Sequence, residues 1–245
     1  MANRILKKLK FLPAASVVLS AAVFGAAQES SVIKRNTRPE AAPAATPEPL
    51  NKVEVDSARF SYEFTQPEFY VRHIVIDHDA TGRGVIKFQL LHDEIVYEEP
   101  LQLSAAAWAR IAALWQSLRF LDSEENYQSD KQFAHLGTMR LKMERDSNKR
   151  TAEFNWTNNK DAFSLVNEYR RAADQAILVF DISVARESQP LNMPKLMDEL
   201  ELQFSRNGLS DPKQLVPLLQ DISTDDHVPL IARNHALRLI KKIGK

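Results

Sequence analysis

The pattern of apolar residues predicts an α+β fold: an antiparallel sheet with helices on one face, followed by a C-terminal all-helical segment. Three observations carry this. From residue 53 onward bulky side chains alternate with period two, as in Phe60, Tyr62 and Phe64 set against Ser61, Glu63 and Thr65. Over residues 161–186 they advance by threes and fours through Phe163, Val166, Tyr169, Ala173, Ile177, Phe180 and Val184, which is one helix stripe. Beyond Pro190 only the helical period remains. At about 1.5 Å per residue the 161–186 helix would run roughly 39 Å, long enough to join the sheet before it to the helices after it.

The chain divides into four stretches. Residues 1–27 open with Arg4, Lys7, Lys8 and Lys10 and lead into an apolar, small-residue run, the pattern of a secretory signal peptide; Gly25 and Ala27 fit signal peptidase, with cleavage before Gln28. The alternative is an uncleaved membrane anchor, so the product is expected to be exported, periplasmic or secreted, or else tethered by its N-terminus outside the cytoplasm. Residues 28–50 hold Pro39, Pro43, Pro47 and Pro49 among Ala, Thr and Glu and are expected to form a disordered spacer. Residues 51–187 form the α+β domain ending in the long helix, and residues 188–245 the helical segment.

Composition bounds the chemistry. The chain has 245 residues, 44% hydrophobic and 26% charged, enough for one substantial core or two small ones. Acidic and basic residues balance at 32 each, but four of the basic ones precede position 11, leaving 28 against 32 after processing. That mild negative charge points away from nucleic acid. The absence of cysteine removes disulfides, thiol nucleophiles and redox motifs.

In chain order, strands are expected over 60–65, 69–77, 84–91 and 94–97, with Pro100 closing the last. With Asp77 opposite Gly84, the hairpin would place Val71, His73 and Val75 on the apolar face. Ser104 is a good N-cap for a helix over 105–119 whose Trp108, Ile111, Trp115 and Leu118 would cover the sheet. A second hairpin sets Met139, Leu141 and Met143 against Ala152, Phe154 and Trp156 around a turn at 146–149. Leu196, Met197, Leu200 and Phe204 then form a stripe stopping at Gly208, an expected C-terminal cap. Ser210-Asp211-Pro212 opens another helix, and a last one runs over 228–243 with Arg238, Lys241 and Lys242 near its negative end.

The run Leu215-Val216-Pro217-Leu218-Leu219, then Asp225 and Val228, then Ala232, Ala236, Leu239, Ile240 and Ile243, resembles one HEAT repeat, although Pro229 stands where an Arg commonly follows the Val. The resemblance covers about 30 residues and implies a pair of antiparallel helices of the kind that binds other proteins. One repeat cannot bury its own faces, so the pair is expected to cap the 195–207 helix and the long helix. Upstream, the order of hairpin, helix, hairpin and helix resembles small exported α+β domains that include the emfourin-type metalloprotease inhibitors. No inhibitory residue is carried over.

Candidate chemistry is sparse. Asp77-His78-Asp79-Ala80-Thr81-Gly82 has the opening of a calcium loop, making Asp77, Asp79 and His78 the candidate metal ligands, but Phe88 stands where the closing Glu belongs. The competing reading is a polar turn in which Gly82 supplies positive φ. His73, His78 and His92 fall in one hairpin without converging in the expected register. His235 lies on the apolar side of the last helix, facing either a hydrogen-bond partner or another protein. Asn155-Trp156-Thr157 fits a glycosylation sequon in an expected strand. No metalloprotease, nucleophile-elbow, phosphate-loop or dinucleotide motif occurs, and no catalytic or cofactor-binding residue is assigned. The expectation is an exported, non-enzymatic module that binds another protein. A metal- or carboxylate-dependent hydrolase and a protease inhibitor are the alternatives.

Overall fold

The computed structural model describes residues 57–244. The expected signal peptide (1–27), the expected Pro-rich spacer (28–50) and residues 51–56 lie outside the described residues. A six-stranded, wholly antiparallel sheet in the order β4-β3-β2-β1-β5-β6 is formed by β1 (Arg59–Thr65), β2 (Val71–Asp79), β3 (Arg83–Leu90), β4 (Val96–Gln102), β5 (Thr138–Arg145) and β6 (Asn148–Phe154). Five α-helices accompany it: α1 (Ala105–Ser117), α2 (Lys160–Ser188), α3 (Met193–Ser205), α4 (Val216–Thr224) and α5 (Leu230–Ile243). The fold is α+β with a C-terminal helical segment, and no described helix is long and apolar enough to cross a membrane.

Alternation decides the two sheet faces. Phe60, Tyr62, Phe64, Ile74, Ile76, Ile86, Phe88, Met139, Leu141 and Phe154 are buried under the helices. Their neighbours carry charge on the open face, where Arg140 bridges Glu63 at 2.7 Å and Glu153 at 2.7 Å, and His73 meets Glu63 at 3.0 Å.

Over residues 73–78 the β2–β3 register differs by one residue from the sequence expectation, while a bulge between Val71 and His73 leaves Val71 opposite Leu90 and packed on the core, as expected. Ile76 pairs with Ile86, Ile74 with Phe88 and His78 with Gly84. A one-residue slip exchanges faces, so Ile74, Ile76 and His78 point inward and His73 points out. The strands continue further into the connection than their polar residues suggested, leaving a short turn in which Gly82 holds φ 76°. β4 likewise runs through Pro100, which lies opposite Val85 on an edge strand where no ladder donor is required of it. In the second hairpin the turn is two residues tighter than expected: Arg145 pairs with Asn148, Leu141 with Ala152 and Met139 with Phe154, and Trp156 falls beyond β6.

Ser104 caps α1 as its residue type suggests, its hydroxyl accepting from the Ala107 amide at 3.1 Å. Asn159 caps α2, its Oδ1 accepting from the amides of Asp161 and Ala162 at 3.0 Å each. The expected α2 stripe is interrupted at both ends: Tyr169, Ala173 and Ile177 are buried, whereas Phe163 and Val184 are exposed. Phe180 does not face the C-terminal helices. Its ring lies edge-on to Phe88 at 5.2 Å and against Tyr97 at 5.0 Å, so α2 crosses the sheet from the β6 side, where Phe163 meets Trp156, to β3 and β4.

Two apolar clusters meet along α2. One joins the sheet, α1 and α2 as far as Ile177; the other joins Leu178, Ile182 and Ala185 to α3, α4 and α5. Polar bonds tie the two together. Arg110 donates to Ser210 O at 2.7 Å and to buried Glu168 at 3.2 Å, and Gln175 accepts from the Asp211 amide at 2.9 Å. At the end of α3 it is Asn207, not Gly208, that takes the left-handed conformation (φ 55°), and the Gly208 amide reaches Gln203 O at 2.8 Å in a Schellman closure.

Candidate functional site

The helices and loops do not close tightly over one end of the sheet's inner face, although the side chains there are buried. α1 packs on one flank of α2 and on Phe60 through Trp108 and Trp115. Toward the ends of β1, β5 and β6 a half-open cavity of about 620 Å³ remains. Phe64, Ile74, Met139 and Phe154 form its sheet side; Phe69 and Tyr70 come from the β1–β2 connection, Leu136 from the turn before β5, Trp156 from the β6–α2 connection, and Phe163, Val166, Arg170 and Asp174 from α2.

Local structure places each wall. Residues 163, 166, 170 and 174 lie on one stripe of α2, so a single helix face presents two apolar and two charged side chains. The turn containing Leu136 lies close against β1: a Cβ at Gly137, whose φ is 86°, would come within 2.7 Å of the Phe64 ring and 2.8 Å of Thr65 O. Only glycine permits that approach. Gln66 Nε2 donates to His135 O at 2.7 Å, pinning the connection that carries Phe69 and Tyr70. Thr157 Oγ1 accepts from the Asn159 amide at 3.1 Å, which sets the loop between Trp156 and the start of α2.

The rim is apolar and wet. Phe69, Tyr70 and Phe163 keep 44%, 66% and 46% of their surface exposed beside the cavity. The polar groups are few. Tyr62 lines the cavity fully buried, stacked on Tyr169 with centroids 5.2 Å apart, and its hydroxyl has no hydrogen-bond partner among the described residues. Burial pushes that hydroxyl up to about 12, against the pull of nearby Arg170. Arg170 Nη2 donates to Met139 Sδ at 3.2 Å and its guanidinium lies 5.4 Å from the Phe64 ring centroid. Asp174 is exposed at the cavity, yet the protein packed around its carboxyl desolvates it and raises it to about 6; Arg170 opposes the rise and Glu199 adds to it.

The residues singled out in the sequence lie elsewhere and do not converge. Asp77 is exposed on the open side of β2. Asp79 organises the turn, its Oδ1 accepting from the Thr81 amide at 2.8 Å, Thr81 Oγ1 at 2.6 Å and the Arg83 amide at 3.2 Å. His78, expected in a loop, is buried on the core side with Nε2 2.8 Å from the Tyr169 hydroxyl and Nδ1 2.8 Å from Asp79 O. The three candidate ligands thus point three ways, and among the described residues no group of three or more His, Asp or Glu side chains is placed to hold a metal ion. His235 is buried between α3 and α5, with Nε2 2.7 Å from Glu201 and Nδ1 3.3 Å from Asp198, so it does not face outward. Asn155 follows β6 rather than lying in it, and its Oδ1 accepts from Gln128 and from the Phe133 amide.

Sequence reasoning missed the cavity because its walls come from four stretches far apart in the chain, 62–74, 136–139, 154–157 and 163–174. Two signals were available: the adjacent Phe69 and Tyr70 beside a turn, and Phe163 at the outer end of the α2 stripe. No family model matches this chain, and a search of curated proteins finds no similar sequence.

Proposed function

We propose that this chain is an exported, non-enzymatic protein-interaction module and that the aromatic cavity is its binding surface. The observation that carries the reading is the exposure of Phe69, Tyr70 and Phe163 around a half-open cavity of about 620 Å³, within the roughly 300–1,000 Å³ range of ligand pockets. Large aromatic side chains on preordered supports are the usual anchors of protein interfaces, since they bury much area while losing few rotors. The C-terminal α4–α5 pair, on the residues that resemble a HEAT repeat, agrees with an interaction role. Export is supported by the basic, then apolar, first 27 residues.

Affinity capture from the exported fraction with residues 28–245 as bait tests the reading, alongside the Phe69→Ser, Tyr70→Ser double variant. A partner held by the first and lost from the second supports it. An identical set of captured proteins would remove the cavity from consideration.

A second reading, a carboxylate-dependent hydrolase, draws on one observation: Asp174 sits at the cavity with its carboxyl raised to about 6, near the range of a general base. It replaces the Asp77, Asp79 and histidine set, whose members do not meet. Loss of a measured hydrolytic activity in Asp174→Asn, with binding retained, would favour it.

A further inference from the structure

We propose that the cavity takes an aromatic side chain of a partner polypeptide together with a neutral amide carbonyl beside it, whose oxygen accepts from the Tyr62 hydroxyl and the Arg170 guanidinium. This rests on the interaction-module reading and adds the chemistry of what is bound.

The first observation is the orphaned hydroxyl. Tyr62 is fully buried and lines the cavity, and among the described residues nothing accepts the proton of its hydroxyl, since Arg170 beside it can only donate. Folded proteins seldom leave a buried polar atom unpaired, because the lost hydration is not recovered. An arriving acceptor recovers it. The second is Arg170, which makes no salt bridge among the described residues, lies beside the Tyr62 hydroxyl and has its Nη2 directed at the thioether of Met139, a weak acceptor. An incoming acceptor offers that guanidinium a better partner than the thioether as it reaches the hydroxyl. Arginine offers donors alone, so the two groups together call for an acceptor oxygen.

Charge narrows the acceptor. One guanidinium shares the cavity with two carboxyl groups, Glu68 and Asp174. A carboxylate or phosphate would therefore meet more negative than positive charge, whereas a neutral carbonyl meets the donors without that repulsion. A cation would be drawn to the acids but would leave the Tyr62 donor unsatisfied and sit beside Arg170. The rim identifies the source: Phe69, Tyr70 and Phe163 are exposed around the opening, so a molecule filling only the cavity leaves them in water, while a chain continuing outward covers them.

Titration of the full chain by NMR with phenylacetamide, isobutylbenzene and phenylacetate, three molecules of similar size, tests the acceptor. Phenylacetamide should bind about tenfold more tightly than isobutylbenzene, as expected for a site with unpaired donors, and more tightly than phenylacetate. Tyr62→Phe should bring the ratio of phenylacetamide to isobutylbenzene affinity down toward one. Equal affinity of the amide and the hydrocarbon for the unaltered chain would overturn the acceptor while leaving the binding surface in place, and tightest binding by phenylacetate would replace the neutral acceptor with an anion. Failure of all three to bind would sink the cavity reading itself. For the polypeptide, N-acetyl-Ala-Phe-Ala-amide should bind more tightly than phenylacetamide and lose that advantage in Tyr70→Ser. A peptide no tighter than the fragment would mean a small-molecule ligand instead.

Discussion

The Tyr169 hydroxyl stands 2.8 Å from His78 Nε2 and 3.0 Å from Trp115 Nε1, so one oxygen in α2 links β2 to α1 inside the core. The indole can only donate, so the hydroxyl accepts from Trp115 and gives its own proton to His78 Nε2. That leaves Nδ1 protonated and donating to Asp79 O, and every polar atom in the chain of bonds is satisfied. His78 is therefore neutral in the fold, a structural histidine rather than a ligand.

Tyr169→Phe should test that link. It would remove the hydroxyl and strand two buried groups, the Trp115 donor and His78 Nε2, at about 1–3 kcal/mol each. A loss of about 2 kcal/mol or more in denaturant unfolding is expected. In a double-mutant cycle with His78→Phe the coupling should reach about 1 kcal/mol; additive effects would show that the bond contributes nothing specific.

Two groups should give stability opposite dependences on pH. Burial lowers the affinity of His78 for a proton below its ordinary 6.5, so beneath pH 6.5 the unfolded chain takes up a proton that the fold resists, and stability falls as pH falls. Asp174 has its carboxyl raised from 3.8 to about 6, so between those values the folded chain holds the extra proton, and this contribution makes stability rise as pH falls through that window. Unfolding midpoints measured from pH 8 to pH 4 should therefore fall more steeply between pH 6 and pH 4 in Asp174→Asn than in the unaltered protein. Parallel curves would show that Asp174 titrates normally.

The fold was legible because its signals are local. Period two over 60–65, period 3.6 over 161–186 and Ser104 before an apolar run each depend on a few neighbouring residues. Register was not, since sliding β2 past β3 by one residue still pairs apolar with apolar, and only the burial of Ile74 and Ile76 beneath α2 and α1 decides between them. That single slip sent His78 into the core and His73 to the surface, which undid the expected histidine placement. The cavity was less legible still: Tyr62 looks like any core aromatic until its hydroxyl is seen to lack a partner.

Phe180→Ala and Val184→Ala should separate the sheet side of α2 from its exposed side. The Phe180 ring contacts Phe88 and Tyr97 but is only partly enclosed, so its loss should cost about 2 kcal/mol, below the roughly 3–5 of a fully buried ring. Val184 is 43% exposed, and its truncation should change stability by no more than about 0.5 kcal/mol. A reversal of the two in denaturant unfolding would mean that α2 is rotated from the orientation described.

Deleting residues 210–245 should damage the whole described fold rather than release an appendage. Leu178 and Ile182 on α2, with Met193, Met197 and Leu200 on α3, belong to the cluster completed by α4 and α5. Each such side chain is worth about 1.5–3 kcal/mol when fully buried, so uncovering even some of the five removes stability comparable with a total of about 5–15 kcal/mol. The cut would also take away Ser210 O and leave Arg110 with Glu168 alone, and would free Gln175 from the Asp211 amide. Because Ile177 and Leu178 are adjacent on α2 but face different clusters, loosening one end of that helix should reach Tyr169 and the sheet. Unfolding of residues 51–208 followed by the fluorescence of Trp108, Trp115 and Trp156, which report on the sheet side, should show a strongly lowered midpoint or aggregation. A midpoint equal to that of the full chain would mean that the helical segment folds apart from the sheet and that α2 transmits nothing between them.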